Sequence, residues 1–355
     1  MLIAVDAMGG DHAPEAVVTG AAAALGLSDQ SDLRIALVGR RATLSTLPGA
    51  DHEGIEIVDA SEVVGMGEAA TTPIRKKRDS SIRVACNLVR EGKAGAMVSF
   101  GNTGAALTAA KLVMGTIGGV DRPALAAVLP NQHGRTVVLD VGANIDAKPA
   151  QLREFAVMGH FYAQDVLGTP RPRVGLLSIG GEAIKGTETT KQVFTVLETT
   201  GLNFVGNVEG DDVFSGSVDV VVCDGFVGNV LLKGAEAVAS LFARMLREEL
   251  SRDLRSKLAY LLGRPALDNL RRRTDYEETG AVPLLGLKGG CFIGHGKSEA
   301  RAVTNAIRQA AAFAREGVHS KMEEKMQELH ARERTVLGEP GPGSQSRPQI
   351  DEMPA

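Results

Sequence analysis

The chain contains no tryptophan and only three tyrosines, and just 4% of its 355 residues are aromatic. A core short of large rings has to be closed with small and branched residues, which suits helices packed tightly on a sheet. Cysteine is almost as scarce. Cys86, Cys223 and Cys291 lie far apart, and an odd number without C-x-x-C spacing argues against a disulfide framework and a zinc site. The seven histidines show no H-E-x-x-H or other paired-ligand spacing, so no metal is expected. A formal net charge of −4 gives no sign of nucleic-acid binding. No G-x-G-x-x-G follows the first apolar run, so a dinucleotide is not indicated. No apolar run reads as approaching the roughly 18 residues of a membrane span. Leu2-Ile-Ala-Val-Asp6 reads as a strand rather than a basic-then-apolar leader, so a cytoplasmic protein is expected.

Glycine, by contrast, is abundant, with 42 residues, and it is concentrated where apolar runs end. Three segments share one design: Ala96-Met-Val-Ser-Phe-Gly-Asn-Thr-Gly104, Val174-Gly-Leu-Leu-Ser-Ile-Gly-Gly-Glu-Ala-Ile-Lys-Gly186 and Val220-Val-Val-Cys-Asp-Gly-Phe-Val-Gly-Asn229. Each is a short strand-like run, then a polar glycine elbow, then a helical pattern. Such an elbow aims backbone N–H groups and the positive end of a helix at one point, which is an anion site, most often for phosphate.

The apolar runs predict strands at about 2–6, 33–38, 55–58, 94–99, 124–129, 136–141, 173–178, 203–208, 218–223 and 290–294. Most are continuous rather than alternating, as in strands covered on both faces. Helical patterns fall between them at 13–26, 74–91, 103–116, 151–167, 186–199, 227–250 and 298–315. The alternation predicts a three-layer α/β/α fold with a large, mostly parallel mixed sheet, and ligands at the carboxyl ends of its strands, where all three elbows lie. Residues 1–318 read as one catalytic α/β domain of two intertwined lobes, with a basic amphipathic helical insertion at about 240–273. Residues 319–337 read as a charged, exposed helical extension, and the Pro/Gly/Ser-rich 338–355 as a disordered tail.

The opening Ile3-Ala-Val-Asp-Ala-Met-Gly-Gly-Asp-His-Ala-Pro14 is a long and unusual string. Together with Ser99-Phe-Gly-Asn-Thr-Gly-Ala105, Asp140-Val-Gly-Ala-Asn144, Gly206-Asn-Val-Glu-Gly210, Asp224-Gly-Phe-Val-Gly-Asn229 and Pro283-Leu-Leu-Gly286, it resembles the acyl-ACP:phosphate acyltransferases, the PlsX family. The resemblance runs in order from Leu2 to about Arg315. It implies transfer of a fatty acyl group from acyl carrier protein to inorganic phosphate, for phospholipid synthesis. It also implies a fold like the isocitrate and isopropylmalate dehydrogenases, a homodimer, and neither metal nor nicotinamide. Two positions depart from the pattern: Ala281 replaces a glycine, and Lys297 stands where a small or polar residue is expected.

Attack of phosphate on a thioester needs no covalent enzyme intermediate. The protein has to place phosphate against the carbonyl, stabilise the oxyanion and exclude water. No catalytic triad is visible, and Ser178 lacks the glycine that a G-x-S-x-G elbow requires. Gly290–Ser298 imitates a P-loop but is one residue too long, with Cys291 where glycine is needed.

The catalytic candidates are Lys185, Asp224, Asn229 and His295. Lys185 would neutralise phosphate or be a solvated loop lysine. Asp224 would orient a donor or the carrier's pantetheine arm, or cap a turn. Phosphate or substrate contact is assigned to Asp6, Gly9, Gly10 and His12, to Gly101, Asn102, Thr103 and Gly104, and to Asn144, Gly181 and Gly225. For Asn102 and Thr103 the plainer alternative is helix capping.

Residues 244–273 carry nine Lys/Arg against four Asp/Glu, with leucines at helical spacing. Arg255, Lys257, Leu258, Leu261 and Leu262 therefore offer a contact for the acidic carrier, an anionic membrane surface, a membrane glycerol-phosphate acyltransferase or the other subunit. The run Arg75, Lys76, Lys77, Arg78 is a second candidate for carrier docking. Three rival readings are a phosphotransacetylase-like enzyme using acyl-CoA, a β-decarboxylating dehydrogenase, and a non-enzymatic carrier or membrane scaffold.

Overall fold

The computed structural model describes residues 1–27, 32–71, 75–274 and 280–337. Its centre is an eleven-stranded mixed sheet: β1 (Leu2–Asp6), β2 (Arg34–Gly39), β3 (Ile55–Asp59), β4 (Ala96–Ser99), β5 (Ala124–Pro130), β6 (Arg135–Leu139), β7 (Val174–Leu177), β8 (Phe204–Val208), β9 (Val220–Val222), β10 (Ala281–Leu285) and β11 (Gly290–Gly294). The spatial order is β3-β2-β1-β4-β11-β10-β5-β6-β9-β7-β8. Strands of continuous Val/Ile/Leu/Ala belong in such a sheet because both faces are covered. On one face pack α1 (Glu15–Gly26), α5 (Pro149–Asp165) and α10 (Ala300–Arg315). On the other pack α3 (Ser81–Arg90) and α4 (Thr103–Val113). The shorter α2 (Arg41–Leu44) and α7 (Asp212–Ser215) and the helix α6 (Glu188–Glu198) complete the layers.

The pairing directions change how the three elbows relate. β3, β2, β1, β4 and β11 are mutually parallel, and so are β6, β9, β7 and β8. Between these halves the pairs β11–β10, β10–β5 and β5–β6 are all antiparallel, so the two halves run in opposite directions. The elbow after β4 therefore lies at one edge of the sheet, and those after β7 and β9 lie at the opposite edge. The three do not converge.

Two long helices follow β9: α8 (Gly225–Ser251) and α9 (Leu254–Thr274), packed on each other. By length and composition α8 is apolar enough to cross a membrane, which corrects the expectation that no such run exists. Its first turn nevertheless belongs to the domain. Asp224 caps it by accepting from the Val227 amide at 2.9 Å, and Gly225 and Gly228 are buried. The last helix, α11 (Val318–Leu337), is less exposed than its charge suggests. Val318, Met322 and Met326 are buried among α5 and α10, so its apolar stripe joins the main core. The expected tail at 338–355 lies outside the described residues.

Candidate active site

β1, β4 and β11 are neighbours pointing the same way, so the loops that leave them form one rim. The loops touch through backbone. A side chain on Gly9 would begin 2.7 Å from the Gly101 amide nitrogen, and the Asp11 amide donates to the Gly296 carbonyl at 2.7 Å. Gly10 has φ of +114°, a left-handed conformation that L side chains rarely adopt. Glycine is what lets the three loops close on each other.

Below this rim is a cavity of about 1160 Å³ between the centre of the sheet and α8. Its polar end carries Asp11, Thr103, His295 and Lys297. Asn229 lines it from the first turns of α8. The walls are apolar, with Leu125, Ala127 and Leu129 from β5 and Leu231, Leu232 and Ala235 from α8. Thr103 and His295 share the rim, whereas Asn229 lies beside Gly142 at the opposite edge of the sheet, so the cavity spans the two edges.

His295 sits in a tight turn. The Lys297 amide donates to its Nδ1 at 3.2 Å, and the Ser298 amide donates to its carbonyl at 2.9 Å. With Nδ1 accepting, the neutral ring carries its proton on Nε2.

Several candidates hold the site up rather than face it. Asp6 is buried under the rim, accepting from Ser99 Oγ at 2.7 Å and from the Met8 amide at 3.2 Å. Burial pushes its carboxyl above the ordinary aspartate range. It ties the β1 loop to the β4 loop and is a strut, not a phosphate ligand. Asn102 caps α4 by accepting from the Ala105 amide at 3.0 Å, and its Nδ2 donates to the carbonyls of Met66 and Glu68. Its side chain is therefore spent on capping and on holding the stretch from Met66 to Glu68. Asn144 is buried, donating to Asp140 Oδ2 at 3.0 Å and to the Pro123 carbonyl at 2.9 Å. Asp224 is a helix cap, and Gly225 has no room for a side chain beside Asn144.

Others stand apart from the cavity. His12 is exposed at the start of α1 and does not line it. Lys185 and Gly181 are exposed in the elbow after β7, where the Lys185 ammonium lies 3.3 Å from Glu182. Neither reaches the cavity. Gly104 packs its backbone close to Ala70. Of the basic run, Arg75, Lys76 and Arg78 are exposed, but Lys77 is turned inward. It donates to Glu68 at 2.6 Å and to the Val63 carbonyl at 2.8 Å, which withdraws it from docking. Arg255, Lys257, Leu258, Leu261 and Leu262 are exposed on α9.

Asp140, in Asp140-Val-Gly-Ala-Asn144, is a buried site-supporting residue that the sequence reading does not single out. It accepts from the amides of Leu125, Ala143 and Asn144 at 2.6–3.1 Å, and burial raises its carboxyl as it does that of Asp6. The only signal was an aspartate directly after an apolar run and two residues before glycine.

The cysteines supply no nucleophile. All three are buried, and burial pushes the Cys86 thiol up to about 12 and the others well up too. Among the described residues, no three His, Cys, Asp or Glu are placed to hold a metal.

A glycine-knit rim over a cavity with polar residues at its mouth and apolar walls marks an α/β protein with a built binding site. Solved structures share the fold. The phosphotransacetylase from Streptococcus pyogenes superposes with a TM-score of 0.60 at 19% identity, covering 89% of this chain and 94% of that one. The EutD phosphotransacetylase from Staphylococcus aureus gives 0.58 at 16%, covering 88% and 94%. Residues 1–321 match the family described as "Fatty acid synthesis protein". A phosphate acyltransferase of Geotalea uraniireducens is 48% identical over 331 residues, 92% of this chain and 95% of that protein. Another, from Acidobacterium capsulatum, is 48% identical over 325 residues, 90% and 96%. The chain belongs to the fatty acid synthesis protein family, and it is an acyltransferase.

Proposed function

We propose that the chain transfers a fatty acyl group from the thioester of an acyl carrier protein to inorganic phosphate, forming an acyl phosphate for phospholipid synthesis. The observation that carries this reading is a cavity that has Thr103 and His295 at its rim, Asn229 at its far end and apolar walls between them. Its volume of about 1160 Å³ exceeds the roughly 300–1,000 Å³ of ordinary small-ligand sites, leaving room for a chain and a thioester arm together. Each buried methylene adds about 0.8 kcal/mol of binding.

In the reaction a phosphate oxygen bonds to the thioester carbon, and the carbonyl electrons move to oxygen. Collapse of this tetrahedral oxyanion breaks the C–S bond and expels the thiolate, which takes a proton from solvent. His295 Nε2–H is the donor we assign to the oxyanion, Thr103 with the first turn of α4 holds phosphate, and Asn229 lines the far end of the cavity. Asp6, Asn102, Asp140 and Asn144 keep those groups in place. The exposed apolar residues of α8 outside the cavity, among them Phe226, Leu241 and Phe242, are assigned to a second copy of the chain, and the basic tip of α9 to the carrier or an anionic membrane surface. The reaction takes place in the cytoplasm.

Hydroxylamine trapping tests this. Chain, palmitoyl-carrier and phosphate together should yield the hydroxamate of the acyl phosphate. Free fatty acid formed without phosphate consumption would refute it.

A further inference from the structure

The structure points to one more substrate-binding group. We propose that the ammonium of Lys297 binds the attacking phosphate, an inference that rests on the acyl transfer described above.

Four charged residues line the cavity: Asp11, Lys233, Glu236 and Lys297. Lys233 and Glu236 neutralise each other at 2.8 Å. Lys297 has no carboxylate or hydrogen-bond partner for its ammonium among the described residues. Among the described residues it is thus the cavity's one uncompensated cation, two residues from His295, which lines the same end.

The turn that carries Lys297 is fixed. The Lys297 amide is held by His295 Nδ1, and Gly296 is held by the Asp11 amide. A side chain at Gly294 would overlap the ring of Phe100, so the loop lies flat on the β4 loop. Ser298, the next residue, is only 4% exposed and does not line the cavity. The sixteen-residue α10 starts two positions on, adding the positive end of a helix.

Asp11 fits the same ligand. Its carboxylate oxygens lie 3.8 Å from where a Gly296 side chain would begin, yet form no ion pair with Lys297. Hydrogen phosphate offers anionic oxygens to the lysine and a hydroxyl to the aspartate. Lysine suits this task as a compact point charge. Lys185, by contrast, is paired with Glu182 and lies away from the cavity.

The test compares Lys297→Met, Lys297→Arg and the unmodified chain, varying inorganic phosphate and acyl-carrier separately. Lys297 is exposed, so neither variant should disturb folding. Methionine should raise the KM for phosphate about 10- to 100-fold, the range for a lost hydrogen bond to a charged group. The KM for acyl-carrier should stay near its original value, and arginine should recover most of the loss. An unchanged phosphate KM overturns the proposal. So does a rise confined to the acyl-carrier KM, which would give the charge to the phosphodiester of the carrier's arm. Calorimetric titration with inorganic phosphate alone separates this from the acyl-transfer reading. Phosphate that binds the unmodified chain and not the methionine variant, with no turnover in either, supports Lys297 and sinks the transfer.

Discussion

The Lys297 amide donates to Nδ1 of His295 over 3.2 Å, which commits the ring's proton to Nε2 at the polar end of the cavity. A donor preset toward the developing oxyanion stabilises the transition state more than the ground state. His295→Ala should therefore lower kcat about 10²- to 10³-fold. The KM for phosphate should change little, because the ring is assigned to the carbonyl oxygen. A variant that loses phosphate affinity at unchanged kcat would move His295 to the phosphate.

Asp6 makes stability depend on pH in a direction opposite to a surface carboxylate. Burial raises its folded pKa above the ordinary aspartate value of 3.8, so the native state keeps this proton when the unfolded chain has lost it. The contribution is fully present below pH 3.8 and is lost as pH rises through the raised value. Asp6→Asn removes that loss. Urea unfolding at pH 4 and pH 7 should show the variant gaining on the unmodified chain as pH rises. A difference between them that does not vary with pH would contradict this.

Much of the fold is legible in the residues, and the misses have physical causes. Continuous apolar runs at 2–6 and 290–294 could only be doubly covered strands, and the structure has strands with those bounds. β10 was not expected because Ala281-Val-Pro-Leu-Leu285 carries a proline, which normally keeps a segment out of a sheet centre. Without β10 the antiparallel centre is invisible, and so is the reversal that separates the elbows. In the site, the sequence marks a polar residue at a strand end but not which way it turns. Thr103 and His295 turn into the cavity, whereas Asp6 and Asn144 turn under it, and only three-dimensional packing decides between them.

Two glycines on α8 should respond oppositely to alanine. At Gly228 a methyl would overlap the Asp140 carbonyl and lie 2.9 Å from Cys223 Sγ. That overpacking should cost about 1–3 kcal/mol. At Gly234 a methyl meets nothing within 4 Å, so alanine should stabilise the helix by about 0.5–1 kcal/mol. Thermal unfolding of both variants checks the pair. A destabilised Gly234→Ala would reveal a close contact there, as a second copy of the chain would make.

Arg255 and Lys257 are exposed near the start of α9, and neither has an acidic partner among the described residues. Reversing both to glutamate should raise the KM for acyl-carrier about tenfold, the lower range of electrostatic steering, while the KM for phosphate holds. An unchanged carrier KM at low salt would remove α9 from carrier docking.

The central claim is that the thioester is broken by phosphate and not by water. Release of free carrier thiol from palmitoyl-carrier, followed with and without phosphate and with palmitoyl-CoA in parallel, tests it most directly. The account predicts release that requires phosphate and is confined to the carrier-bound donor. Release independent of phosphate would contradict it, and equal use of palmitoyl-CoA would transfer the donor assignment from the carrier to coenzyme A.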